Sequence, residues 1–229
     1  MWVVDDAEIT ETLRIAEEAV KAGEPLGPTG FWRAVAAVKA DPALIEVHAD
    51  RIGVIDSTAF RNWALMTVPL WIGNLLMIGG TLLGLALVGW SYSLGGTGAA
   101  IAFLLGFGAI LVTTHSLGHL LVGALFGIRF TRWFIGTFRR PQPGVKLDYA
   151  SYLRAPARSR AWMHASGAVV TKIVPFALIG AALAAAVPSW VIWVLLVVGI
   201  GQIITDVLWS TNASDWKKFR RESAFVQSS

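Results

Sequence analysis

The sequence predicts an all-α polytopic membrane protein with about four transmembrane helices, a small cytosolic helical cap and a short cytosolic β-hairpin. Three observations predict it. Hydrophobic residues make up 55% of the 229 and charged residues only 15%, where an average soluble chain carries about 25% charge. No Asp, Glu, Lys or Arg stands between Arg61 and Arg129. Four stretches are long enough to cross a hydrocarbon core of ~30 Å, which takes about 20 helical residues.

Residues 1–61 hold 11 acidic and 6 basic residues and read as the cytosolic amphipathic cap. Ile9, Leu13, Ala16 and Val20 recur at helical spacing, with Glu11, Glu17, Glu18 and Lys21 elsewhere around the wheel. Gly23-Glu24-Pro25 and Gly27-Pro28 break this helix, and Phe31 to Ala40 reads as a second one closed by Asp41-Pro42. The start, Met1-Trp2-Val3-Val4-Asp5-Asp6, lacks the basic and apolar regions of a signal peptide, so secretory processing is not expected. Zero cysteines exclude disulfides and thiolate chemistry, so a metal site would use His and carboxylate.

Residues 62–210 form the predicted transmembrane domain, with spans at about 64–89, 98–126, 162–187 and 190–209. The loop 127–161 carries eight basic residues against Asp148 alone, and the tail 211–229 adds Lys217, Lys218, Arg220 and Arg221. The positive-inside rule places this loop, and with four crossings both termini, in the cytosol of a bacterial-type inner membrane. The opposite side receives only 90–97 and the 188–189 turn, which contain no Lys or Arg. Trp63, Trp71, Trp90, Trp162, Trp190, Trp193, Trp209 and Trp216 fall mostly near span ends, as an interfacial belt does. The basic loop has no accompanying nucleic-acid signature, and anionic headgroups explain it better. Within it, 128–135 and 145–152 are rich in β-branched and aromatic residues, separated by Arg139-Arg140-Pro141-Gln142-Pro143-Gly144, which predicts a hairpin.

The polar residues inside the spans are the functional candidates. The second span contains His115-Ser116-Leu117-Gly118-His119, and two histidines at i and i+4 project from one face about one turn apart, a spacing that chelates a single metal. Two imidazoles suit Zn²⁺, and a catalytic centre adds one further protein ligand and an open position for water. Asp206, the lone carboxylate of the fourth span, is the candidate third ligand. Its alternative roles are a salt bridge to Lys172, the other charge within a span, or snorkelling to the interface. His164, at the start of the third span, reads as an interfacial histidine or an additional ligand or substrate contact.

The order of these features resembles the site-2 protease family of intramembrane zinc metalloproteases over roughly residues 98–209. That family carries H-E-x-x-H on one helix, an A-G-P-x-x-N-like segment on a later one and L-D-G on a third. His115 to His119, with the run-out to Phe126-Gly127-Ile128, looks like the first motif. Ser166-Gly167-Ala168-Val169-Val170-Thr171 stands at the second, with Thr171 at its Asn, and Thr205-Asp206-Val207 at the third. The resemblance implies a zinc site of His115, His119 and Asp206, a substrate contact at Thr171 and a hairpin that guides substrate, while His164 and Lys172 stand as further candidate substrate contacts. Ser116 stands where the family has its catalytic glutamate. A serine cannot relay a proton from metal-bound water near neutral pH, help worth roughly 10²–10⁴-fold. The leading expectation is therefore a catalytically silent or very slow homologue that binds a membrane segment or partner protein. An active zinc protease with an unconventional base, a haem protein using His164, and a purely structural membrane protein stay open as alternatives.

Overall fold

The computed structural model describes residues 5–137, 143–208 and 214–227; the loop residues Arg139 to Gln142 and Trp209 lie outside them. The chain runs α1 (Asp6–Lys21), α2 (Phe31–Ala40), α3 (Pro42–Trp63), β1 (Met66–Pro69), α4 (Leu70–Ser91) and α5 (Gly96–Leu125). It continues through β2 (Phe130–Ile135), β3 (Pro143–Leu147), α6 (Tyr149–Arg154), α7 (Ala157–Ala184), α8 (Ser189–Leu208) and α9 (Asp215–Ala224). These elements form two compact units, one of residues 1–70, 123–160 and 223–229, the other of 71–122 and 161–222.

The first unit joins the cap to the basic loop. The apolar stripe of α1, Ile9, Leu13, Ala16 and Val20, packs with Phe31, Val35, Ile52 and Ile55, and Leu153 of α6 completes this core. Gly23 takes φ +80° at the end of α1, a conformation that only glycine adopts cheaply. Asp41 starts α3 by accepting a hydrogen bond from the Ala43 N–H at 2.8 Å, with Pro42 in the first turn. The sheet is antiparallel in the order β1-β2-β3.

The hairpin of the sequence reading is present, with two differences. The segment 145–152 does not continue as a strand. Asp148 caps α6 by accepting from the Ala150 N–H at 3.2 Å, which turns the chain out of the extended conformation after Leu147. A third strand, β1, pairs with β2 where the first span was expected to have begun, so that helix starts at Leu70 rather than about 64.

Most of the second unit belongs to four helices long and apolar enough to cross a membrane: Leu70–Ser91, Gly96–Leu125, Ala157–Ala184 and Ser189–Asp206. Their outer faces are apolar: Leu75, Leu76, Leu82 and Leu83 are each about 60% exposed, a surface suited to acyl chains rather than water. Helices α4 and α5 meet at Gly84 and Gly106, where an added Cβ would lie 2.8 Å and 2.6 Å from the facing carbonyl oxygen. Further along the same pair of helices, the Thr81 and Thr113 hydroxyls hydrogen-bond at 2.7 Å. Phe103, Phe107 and Ile110 of α5 share a core with Ala182, Val191 and Leu195.

Candidate metal centre

The centre is built on α5, α7 and α9, from residues that all lie within the second unit. In α5, Thr113 and Thr114 return their hydroxyls to the carbonyls of Ala109 and Ile110, which satisfies them inside an apolar helix. His115 and His119 follow with ring centroids 4.8 Å apart and nearly perpendicular planes. The sequence-predicted pair therefore shares one face.

Helix α7 passes against this pair because residue 167 is glycine. A Cβ there would lie 2.7 Å from His119 Cε1 and 2.9 Å from His115 Cε1, with His119 Nε2 closer still. The approach also brings the Met163 carbonyl to 2.7 Å from His119 Nδ1. A carbonyl only accepts, so Nδ1 carries the proton and donates, and in the neutral ring the Nε2 lone pair is free. A metal-binding histidine is commonly held by such a backbone acceptor.

The third group is Asp215, which sequence reasoning missed. Its Oδ2 lies 3.3 Å from His115 Nε2 and 3.2 Å from His119 Nε2, while Lys218 holds Oδ1 at 3.2 Å. Asp215 occupies the first turn of α9, whose start is capped by Ser214: its hydroxyl accepts from the Lys217 N–H at 3.3 Å. Burial opposes ionisation of Asp215. With a proton between the groups in place of a metal, hydrogen bonds from His115 and His119 and the charges of His119 and Lys218 outweigh it and hold the carboxyl well below the usual range.

The donor set fits a divalent ion. Among the described residues His115, His119 and Asp215 form the one group of three or more His and carboxylate side chains whose ligand atoms converge, all within 4.8 Å of one another. Zinc bound tetrahedrally at about 2.0–2.1 Å sets adjacent donors about 3.3–3.4 Å apart, which matches the two N···O separations. His119 Nε2 and Asp215 Oδ2 are otherwise two acceptors facing one another, an arrangement that requires a cation, metal or proton, between them.

The structure does not bring Asp206 to this group. Asp206 pairs with Lys172, whose ammonium also donates to the Ala168 carbonyl. Where the sequence pointed to Asp206 as the third candidate ligand, the structure groups Asp215 with the two histidines, and Lys172, expected as a substrate contact, pairs with Asp206. The physical reason is pairing: the α8 carboxylate is neutralised by the lysine of α7, while Asp215 of α9 supplies the carboxylate that meets the histidines. Thr171 bonds the Gly167 and Ala168 carbonyls. His164 stands within electrostatic range of Lys218, Glu222, Asp215 and His119 but outside the converging group. Ser116, half-buried between the two histidines in sequence, makes no hydrogen bond among the described residues, so the back-bond typical of helical serines is absent.

Comparison with known protein families, curated proteins and solved structures finds no match to this chain. The chemistry rests on the residues themselves.

Proposed function

We propose that this is an intramembrane zinc-binding protein, arranged like a site-2 protease but catalytically silent or very slow, that engages a transmembrane segment of a peptide or partner protein. The observation that carries the reading is the convergence of both Nε2 atoms on one carboxylate oxygen, with His119 Nδ1 already committed to a backbone carbonyl. Zinc held by two imidazoles and one carboxylate supplies Lewis acidity at a fourth, open position. His115 and His119 supply neutral nitrogen donors, Asp215 the charge that balances the ion, Lys218 the restraint on that carboxylate, and Gly167 the space.

What the described residues lack is a carboxylate at the place of the family's catalytic glutamate. Ser116 stands at the place of a general base, the four spans contain no glutamate, and their one aspartate, Asp206, is engaged by Lys172. Without a base poised near neutral pH, peptide hydrolysis loses most of its proton-transfer assistance. Both termini and the basic loop lie in the cytosol on this reading.

The test is metal content and cleavage measured on the same purified protein. The proposal expects about one zinc per chain, no cleavage of a model transmembrane substrate, and cleavage gained in Ser116→Glu. Stoichiometric metal-free protein overturns the metal site. Wild-type cleavage that is lost in His115→Ala would instead establish an active protease.

A further inference from the structure

We propose that the cleft between α3 and β2 in the first unit binds the phosphate of an anionic phospholipid headgroup through Arg61 and Arg132. The inference rests on the membrane reading of the four apolar helices but not on the metal centre.

The cleft has a volume of about 430 Å³ and is lined by four cations and three carboxylates. Most of that charge is already matched. Lys146 pairs with Asp56, Arg129 reaches Asp148 at 2.8 Å, and Asp50 takes two bonds from Arg154, at 2.7 and 2.9 Å. Arg61 and Arg132 are left over. Among the described residues Arg61 donates only to the Thr58 hydroxyl at 3.0 Å, and Arg132 only to the Thr67 hydroxyl at 3.4 Å. Neither has a carboxylate. Each guanidinium carries five N–H donors in a planar fork, so two forks lining one cleft leave most of their donors for an anion. Phosphate, with several oxygens and a delocalised charge, matches such forks bidentately.

A lipid is the source favoured by the surroundings. Arg132 lies across the sheet from Pro69, and the next residue, Leu70, opens the first apolar helix. Trp63, Leu65 and Met66, on the chain between Arg61 and that helix, are 41%, 47% and 50% exposed. Uncovered apolar side chains beside uncompensated guanidinium groups match the zone where headgroups meet acyl chains.

The experiment uses the full chain in detergent and native mass spectrometry, titrated separately with phosphatidylglycerol, phosphatidylcholine and glycerol phosphate. One phosphatidylglycerol should be retained more tightly than phosphatidylcholine, whose choline already balances its phosphate. Its affinity should fall about tenfold in Arg61→Gln and in Arg132→Gln, the scale of one lost charge-assisted contact. Arg51→Gln, whose guanidinium instead faces Glu17, should leave it unchanged. Should the glutamine variants fail to fold, Arg61→Lys and Arg132→Lys decide, since they keep charge but lose the fork. Retention equal to wild type in the Arg61 and Arg132 variants overturns the proposal. Glycerol phosphate binding as tightly as the lipid overturns its lipid source.

Discussion

Substitution of Gly167 by alanine tests the metal centre through geometry alone. The added methyl would sit 2.7 Å from His119 Cε1 and 2.9 Å from His115 Cε1, where relaxed carbon contacts are about 3.5–4.0 Å. One or both imidazoles must therefore move by roughly 0.8 Å, or α7 must withdraw by as much. Metal sites tolerate ligand displacements of only about 0.2 Å, so the ion should be lost or bound at least about 100-fold more weakly, beyond the 10–100-fold cost of disturbing an outer hydrogen bond. Helix stability cannot account for such a loss, because alanine is a better helix former than glycine by about 1 kcal/mol. Gly180, on the same helix, is the control: a Cβ there meets nothing within 4 Å. Zinc titration of both variants against a competing chelator, with circular dichroism to verify folding, gives the comparison. Undiminished zinc affinity in Gly167→Ala would refute the placement of α7 against the histidines.

Three further outcomes follow from the ion pairs and the titration of the site. Lys172→Met and Asp206→Leu should each lower the melting temperature in detergent, since each strands one charge in an apolar helix, while the double variant should recover toward wild type; additive losses would contradict the pairing. In chelator-treated protein, Asp215→Asn should be less heat-stable than wild type at pH 7. Because the folded-state pKa of Asp215 is lowered, that stability is present above the unfolded value of about 3.9 and is lost as the pH falls through the folded one. The gap between the two proteins should therefore narrow below about pH 4, and a gap that widened there would reverse the assigned direction. The third is the gain of cleavage in Ser116→Glu, read on a transmembrane substrate.

The four apolar helices were legible because the charge-free run and the long apolar stretches predict helices of spanning length. Their ends agree with the sequence reading to within about three residues, except that the third helix starts five residues earlier and the first six residues later. At the first, the mostly apolar residues Met66 to Pro69 continue the hydropathy of the span while serving as strand β1, and hydropathy does not distinguish the two. The helix α6 was hidden because its aromatic and apolar residues read as strand, and only the Asp148 cap separates them. At the site, the i, i+4 histidines were legible and their shared face follows from helix geometry. Asp215 was not, because it lies beyond the last span in a segment dominated by Lys217, Lys218, Arg220 and Arg221. The signal available was Ser214-Asp215, a capping serine followed by a first-turn carboxylate directly after a span. Asp206 was the more conspicuous candidate because it is the one carboxylate within the apolar helices, but Lys172 on the neighbouring helix answers it.

The most direct measurement is metal content of the purified wild type beside Asp215→Asn and Asp206→Asn. One divalent ion per chain in the wild type and in Asp206→Asn, with none in Asp215→Asn, is the predicted result. Metal lost from Asp206→Asn but kept in Asp215→Asn would contradict the assignment of the third ligand and return it to the fourth span.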